Sequence, residues 1–190
     1  NIRSACLMVK VEILSRGNSI SFEVLEEICG RRDISVGSLD DLEVVVYGGG
    51  RKEKSKAVKI PSVVDEDLAY LAGAIISDGH MEEGAIDISC YNDGFAEAVS
   101  RSFERKFKYT YAGYGRTRIY LCNSFVTFFF NRVFGIPYGN KARIVKITEI
   151  ILKSSNKILA SFLKGLFDGD GTCKSGLSYK TSSKQLAEEL

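Results

Sequence analysis

The segment YLAGAIISDGH at residues 70–80 recurs as FLKGLFDGDGT at residues 162–172, 92 positions later. Each copy begins with an aromatic residue, has a glycine in its middle and ends near Asp-Gly. Apolar residues at helical spacing before such a stop predict two helices, at about residues 68–77 and 156–169. Self-similarity of this kind indicates two related structural units in one chain.

Small residues in each copy recur every four positions. In the first helix they are Ala69, Gly73 and Ser77, and in the second they are Ser161, Gly165 and Gly169. This spacing puts each trio on one helix face, and a face of small side chains lets two backbones approach closely. Because a mid-helix glycine costs about 1 kcal/mol relative to alanine, we expect the two helices to pair along these faces.

Such pairing would bring together the C-terminal ends of the helices, and with them Asp78 and Asp170. Two carboxylates beside two negative helix ends form an anionic pocket, and all-oxygen sites of this kind suit Mg²⁺ or Mn²⁺. Divalent metals held there can activate water for phosphodiester hydrolysis. Either aspartate alone is also explained as a helix-ending Asp-Gly turn, whereas the matched pair favours a metal site.

The segments LAGAIISDG at residues 71–79 and LKGLFDGDG at residues 163–171 resemble the two signature motifs of the LAGLIDADG homing endonuclease family, of the archaeal or intein-associated type. The resemblance covers residues 60–190. It implies a mixed α/β fold of pseudo-symmetric αββαββα lobes, with a paired-helix interface and an antiparallel, DNA-binding saddle. The earlier acid of the motif is Asp168 in the second copy but Ile76 in the first.

The same resemblance implies site residues and a cofactor. It makes Asp78 and Asp170 catalytic and predicts Mg²⁺ or Mn²⁺ bound at Asp78, Gly79, Asp170 and Gly171. The segment GIPYGNKARIVKI at residues 135–147 resembles the connection between the two halves in the family, where a lysine often enters the active site. Lys141 and Lys146 are both candidates, and a plain surface charge or a phosphate contact remains open for each.

Three regions are expected along the chain. Residues 1–58 form a small unassigned segment, with strands near 8–14 and 42–47, a helix near 22–29, and a glycine-rich, charged connector. Residues 59–153 form the first lobe, with a hairpin at 83–84, helices at 93–107 and 124–134, and strands at 109–111 and 116–121. Residues 154–190 begin a second lobe with a hairpin near 175–176. It is incomplete, so we expect a fragment or a reduced lobe, completed by continuation of the chain or by self-association.

The family resemblance implies a sheet with one face covered by helices and the other laid in the DNA major groove. Alternation along the predicted strands assigns residues to these two faces. The residues expected to point inward are Ile86, Ile88, Thr117, Ile119, Leu121, Leu177 and Tyr179. The residues expected to face DNA are Asp87, Ser89, Arg116, Arg118, Tyr120, Ser178 and Lys180.

Basic residues are concentrated in one stretch. The formal net charge of the chain is only +2, yet residues 99–146 contain ten Lys or Arg residues and a single acid, Glu104. Such a stretch can meet a polyanion such as double-stranded DNA, or it forms a solvated basic face with no partner.

Composition excludes several other classes of protein. The five cysteines include no CxxC pair and His80 is the only histidine, so no familiar zinc spacing exists. No stretch approaches the roughly 20 apolar residues of a membrane span, and no secretory signal is visible. We expect an intracellular protein of the cytoplasm or nucleoid, with no membrane partner.

The leading hypothesis is a site-specific, divalent-metal-dependent, double-strand DNA endonuclease that cuts one strand with each aspartate. The alternative is a catalytically inactive DNA-binding or RNA-maturase-like LAGLIDADG protein. A purely structural intein remnant is a weaker third reading, because both acids persist.

Overall fold

The computed structural model describes residues 10–14, 43–47, 58–59, 61, 63–108, 118–173 and 176–190. The chain divides into two compact units. One comprises Asn1–Val63 with Lys106–Tyr109, and the other comprises Val64–Arg105 with Thr110–Leu190. Both repeat copies therefore belong to the second unit.

The first unit contains a three-stranded sheet. Strand β1 (Lys10–Leu14) runs parallel to β2 (Glu43–Tyr47), and β3 (Val58–Lys59) pairs antiparallel with β2. The sequence predicts the first two strands through their β-branched residues, whereas the parallel pairing and β3 are findings of the structure. The helix predicted at residues 22–29 and the connector at 48–56 lie outside the described residues.

The first repeat helix, α1 (Glu66–Asp78), begins and ends where its sequence indicates. The Asp65 carboxylate caps the first turn by accepting a hydrogen bond from the Leu68 backbone N–H at 3.1 Å, which satisfies one of the unpaired donors of a helix N-terminus. Gly79 is the C-cap and adopts an extended conformation. The chain therefore passes directly from the helix into a strand.

A small antiparallel sheet follows, in the order β4 (Gly79–Glu82), β5 (Ala85–Ser89) and β6 (Arg118–Cys122). Its inner face buries residues at alternate positions, namely Met81, Ile86, Ile88, Ile119 and Leu121. The hairpin predicted at residues 83–84 is confirmed, as is the inward assignment of Ile86, Ile88, Ile119 and Leu121. The strand predicted at residues 109–111 lies outside the described residues.

Helices α2 (Asp93–Phe107) and α3 (Ser124–Phe134) have the bounds that the sequence predicts. Aromatic rings from both enter the core: Phe103 meets Phe130 edge-on at 6.2 Å between ring centroids, and Phe130 stacks on Phe134 at 5.6 Å. Helix α3 ends at Gly135, whose φ of +60° is left-handed and therefore favours glycine.

The last third of the chain is mostly helical. It comprises α4 (Glu149–Leu152), α5 (Asn156–Asp170), which is the second repeat helix, and α6 (Lys184–Glu189), with β7 (Gly171–Thr172) and β8 (Ser178–Tyr179) forming an antiparallel pair. The expectation that Leu177 faces the core is wrong, because its side chain is 71% exposed. A strand of two residues cannot impose alternation on the residue before it.

The described chain is thus a mixed α/β protein with small sheets, two of them antiparallel throughout. Helices α4 and α6 have four and six residues, too few to produce a helical period in the sequence. None of the helices that the structure describes has the length and apolar content of a membrane span.

Candidate active site at the paired helix ends

Helices α1 and α5 lie backbone to backbone at two glycines. A Cβ atom added to Gly73 would stand 2.8 Å from the Leu166 backbone nitrogen, and closer still to the Phe162 carbonyl oxygen. One added to Gly165 would stand 2.9 Å from the Ala74 nitrogen, and again closer to a carbonyl oxygen, that of Tyr70. Any side chain at either glycine would force the helices apart.

The other small residues of the repeat complete the contact between α1 and α5, which we call the seam. Ala69 is fully buried, and the Ser161 hydroxyl crosses from α5 to donate to the Glu66 carbonyl at 2.8 Å. Ser77 turns its hydroxyl back onto its own helix, donating to the carbonyl oxygens of Gly73 and Ala74. Gly169 faces α1, since its absent Cβ would collide with Ser77 and would stand 2.5 Å from Asp78 Oδ2.

The seam places the two motif aspartates at neighbouring helix ends. Asp78 is the last residue of α1 and Asp170 is the last residue of α5. Asp78 Oδ2 is buried and accepts no hydrogen bond from any residue that the structure describes. A buried carboxylate oxygen without a partner is costly, so this atom is suited to receive a ligand.

Both carboxyls hold their protons more tightly than usual. Burial, reinforced by the negative charge of Asp170, raises the pKa of Asp78 to about 6. Asp170 is more exposed to solvent, and its partial burial still raises its pKa, against the opposing effect of the Lys141 charge. Such shifts arise where anionic groups are crowded with little solvent, and a bound cation would relieve them.

Lys141 lies beside the two aspartates, whereas Lys146 is not among the causes of their pKa shifts. The Lys141 side chain is buried, and its Nζ donates to the carbonyl oxygens of Ile76 at 2.6 Å and Ser77 at 3.3 Å. Burial lowers the pKa of Lys141, while the charges of Asp170 and Asp78 raise it. Lys146 is an exposed side chain. Of the two candidates, Lys141 is therefore the one beside the aspartates.

Two tyrosines that the motifs do not single out flank the carboxylates. Tyr91 follows β5, is 74% exposed, and its hydrogen bond lowers the pKa of Asp78. Tyr179 pairs with Gly171, the residue after Asp170, and its ring lies 5.5 Å from that of Phe167. Burial and the two aspartates raise the pKa of Tyr179, so it stays a neutral hydroxyl. Strand alternation predicts that Tyr179 faces inward, but its nearness to the aspartates depends on how β7 and β8 pair.

The two cap glycines, Gly79 and Gly171, start β4 and β7 with ordinary negative φ angles. An Asp-Gly turn would use the left-handed freedom of glycine, and neither position does. A Cβ at Gly79 would stand 2.6 Å from the Ile75 carbonyl oxygen, and one at Gly171 would stand 2.6 Å from the Phe167 ring. Glycine is needed at both positions for space, because the chain leaves each helix there beside an aspartate.

The outer face of the β4–β6 sheet carries paired charges. Arg118 bridges to Asp87 on the adjacent strand through Nε at 3.0 Å and a second, shorter contact. Ser89 lies opposite Arg118, and Tyr120 lies opposite Asp87. Arg116, predicted to share this face, lies outside the described residues.

Part of the positive charge of residues 99–146 is offset in the structure by acids from elsewhere in the chain. Acids from outside the stretch pair with three of its arginines: Glu97 with Arg101, Asp67 with Arg105 at 3.6 Å, and Asp87 with Arg118. At these three positions the positive charge is offset by a nearby acid, and the prediction that the stretch meets a polyanion stays a prediction. In the second half, Ser178 and Lys180 are exposed, as the sequence predicts.

The described residues contain no group of three or more His, Cys, Asp or Glu side chains that could hold a metal ion. The pair of Asp78 and Asp170 therefore offers two carboxylates rather than a closed protein cage. Two carboxylates suit Mg²⁺, which retains several waters and takes further ligands from substrate phosphates. The unpartnered Asp78 oxygen fits this open kind of site.

Comparison with known proteins yields distant relatives. No family model matches the chain. It is 24% identical to elongation factor 2 of Methanopyrus kandleri over 186 residues, which is 92% of this chain and 14% of that protein. It is 27% identical to an A-type ATP synthase subunit of Pyrococcus abyssi over 128 residues, or 63% of this chain and 12% of that protein. The chain thus spans about one-seventh or less of the length of these relatives.

Proposed function

We propose that this chain is a LAGLIDADG-type, site-specific endonuclease that hydrolyses both strands of double-stranded DNA with Mg²⁺ or Mn²⁺. The observation that carries the proposal is the meeting of Asp78 and Asp170 at the ends of two glycine-paired helices. Support comes from the repeat: contacts made by Gly73 recur at Gly165 when every residue number is shifted by 92. A local twofold axis between two motif helices is the arrangement that the family resemblance implies.

The chain's own residues supply a place for metal and phosphate. Asp78 and Asp170 would hold the ion through carboxylate oxygens, with Gly79 and Gly171 keeping the approach free of side chains. A divalent metal bound there would lower the pKa of a coordinated water and would stabilise the leaving oxygen. Lys141 reduces repulsion between the carboxylates and fixes the end of α1 through its bonds to Ile76 and Ser77. Its positive charge would also attract a DNA phosphate.

DNA would lie across the outer face of the sheets. Ser89, Arg118 and Tyr120 provide donors on β5 and β6, and Ser178 and Lys180 extend the surface in the second half. Because Arg118 is paired with Asp87, a contact to guanine requires the arginine to exchange its carboxylate for base or phosphate acceptors. An acid on such a face disfavours non-specific phosphate binding, which gives this pair a role in selecting sequence.

The inactive binding module is a second candidate, favoured by one observation. The sheet after the second motif consists of two strands of two residues each, so its DNA-facing area is much smaller than that of the first half. The same surface could bind DNA or RNA without completing two cuts. Continuation of the chain or self-association would enlarge it.

We propose that the chain is of the intein-associated type that its LAGLIDADG resemblance implies. An elongation factor and an ATP synthase component carry different names, and each resembles this chain over a small part of its length. These two matches do not by themselves indicate nuclease activity. We propose that the chain acts on DNA within the cytoplasm or nucleoid.

A cleavage and binding experiment separates the two candidates. A target is selected from a random DNA library, and the parent is assayed for double-strand cleavage in Mg²⁺ and for gel-shift binding in Ca²⁺. Asp78→Asn and Asp170→Asn should each abolish cleavage while retaining binding, and Asp93→Asn, an exposed aspartate at the beginning of α2, should behave as the parent. Binding without cleavage by the parent favours the inactive module. Full cleavage by either Asp78→Asn or Asp170→Asn contradicts the proposed catalytic site.

A further inference from the structure

A polar bridge crosses the seam between α1 and α5 on one side only. The Tyr70 hydroxyl of α1 donates to Asp168 Oδ2 of α5 at 2.8 Å, and Tyr70 is only 5% exposed. Lys164, one turn before Asp168, pairs with the same carboxylate and places its Nζ 5.0 Å from the centre of the Tyr70 ring. The tyrosine is thus held by a hydrogen bond and by a cation over its ring.

The local twofold relation identifies the opposite side of the seam. The backbone neighbours of Gly73 are Phe162 and Leu166, and those of Gly165 are Tyr70 and Ala74. A shift of 92 positions relates the two sets. The same shift relates Tyr70 to Phe162 and Asp168 to Ile76. Phe162 and Ile76 are both apolar and buried. A polar pair on one side is therefore matched by an apolar pair on the other.

This asymmetry distinguishes correct from incorrect helix pairing. If α1 paired with α1 of a second copy, each Tyr70 would face Ile76 and each buried hydroxyl would lose its acceptor. If α5 paired with α5, each Asp168 would face the ring of Phe162. The first arrangement leaves two buried hydroxyls without acceptors, and the second takes the tyrosine donor away from each Asp168, which then keeps only Lys164 of its own helix. Pairing of α1 with α5 satisfies both the hydroxyl and the carboxylate.

We propose that the Tyr70–Asp168 bridge makes the seam selective for one helix from each repeat, so that α1 takes the chain's own α5 as its partner instead of the same helix from a second copy. The glycines permit close approach in any combination, since both helices carry them. The bridge therefore supplies the choice of partner. This inference does not depend on nuclease activity.

Single substitutions recreate the disfavoured pairs within one chain. Asp168→Ile produces the Tyr–Ile pair of an α1–α1 seam, and Tyr70→Phe produces the Phe–Asp pair of an α5–α5 seam. The double variant produces Phe–Ile, a pair that the chain already accommodates as Phe162 and Ile76. Leaving a buried hydroxyl unpaired should reduce the folding equilibrium constant roughly tenfold or more. Asp168→Ile should therefore be the more damaging single change. In the Tyr70→Phe variant the Asp168 carboxylate still pairs with Lys164, so no polar group there loses its only partner.

The experiment is a double-mutant cycle on the full chain, measured by urea unfolding. Multiplying the effects of the two single substitutions gives a folding constant for the double variant if the two sites are independent. We expect the measured folding constant of the double variant to be at least fivefold larger than that product. Asp168→Asn, which retains an acceptor for Tyr70, should stay within about fivefold of the parent and serves if Asp168→Ile does not fold. Multiplicative single effects, a neutral Asp168→Ile, or an Asp168→Asn as damaging as Asp168→Ile would each overturn the proposal. None of these outcomes depends on DNA cleavage.

Discussion

Replacing Gly165 by alanine adds one methyl group at the closest point between α1 and α5. Its Cβ would stand 2.9 Å from the Ala74 nitrogen and closer to the Tyr70 carbonyl oxygen, whereas carbon and carbonyl oxygen normally approach no nearer than about 3.3 Å. Both of these neighbours are backbone atoms of a helix. They cannot rotate away, so the helices must separate by roughly an ångström.

Two effects of this substitution oppose each other. Alanine favours a helix interior over glycine by about 1 kcal/mol. Overpacking of a rigid core contact typically costs about 1–3 kcal/mol, and separation of the helices also loosens the contacts on both sides of the seam. Because the clashing atoms are helix backbone, we expect an overpacking cost of about 3 kcal/mol, at the top of this range. The net loss is then about 2 kcal/mol, which in a chain of this size lowers the melting temperature by roughly 4–8 °C.

Thermal unfolding of Gly165→Ala and a matched control measures this effect. Gly94, in the first turn of α2, has only the Asn92 side-chain oxygen at 3.4 Å near its absent Cβ. Gly94→Ala should therefore be neutral or slightly stabilising. If Gly165→Ala melts at or above the parent temperature, as the control should, the backbones of α1 and α5 are not in contact and the reasoning about the seam fails.

Three other outcomes are expected. Asp78→Asn should be more stable than the parent at pH 8, because the fold raises the pKa of Asp78 to about 6 and so disfavours its charged form. That advantage should shrink as the pH falls from 6 toward 4, and urea titrations at pH 4.5, 6 and 8 would show no such trend if the carboxyl were unperturbed. Lys141→Met should raise the pKa of the neighbouring carboxyls and, because no lysine charge then repels the cation, lower the Mg²⁺ concentration at which metal binding is half-maximal, with Lys146→Met as the unchanged control in the same metal titration. Arg118→Ala should weaken cognate DNA binding by about 1–3 kcal/mol, whereas Asp87→Asn should strengthen binding to unrelated DNA in gel shifts; equal behaviour on both DNAs would remove this pair from sequence recognition.

The parts of the fold with strong local signals could be predicted from the sequence. Helices α2 and α3 carry long apolar periods and have the predicted bounds, because their stability comes from faces that the sequence displays directly. The inner face of β5 and β6 follows from alternation of Ile86, Ile88, Ile119 and Leu121. The close approach of α1 and α5 is indicated by glycines that have no reason to occur in an isolated helix.

Features set by distant contacts could not be predicted in this way. The pairing of Arg118 with Asp87 depends on strand register, so counting charges along residues 99–146 overstates their free positive charge. The exposure of Leu177 follows from the shortness of β8, which no local pattern reveals. Tyr91 lies near the aspartates only because β5 ends there, a consequence of folding rather than of motif spacing.

On the proposed function, Asp78 and Asp170 jointly hold a catalytic divalent metal. Crystals grown with Mn²⁺ and a bound DNA target, measured at a wavelength where manganese scatters anomalously, test it most directly. We expect an anomalous peak at inner-sphere distance from a carboxylate oxygen of each aspartate, close to the roughly 2.1 Å typical of Mg²⁺, with a DNA phosphate oxygen among the other ligands. An ordered DNA complex with no peak between the two aspartates, or with manganese bound elsewhere only, would contradict the account.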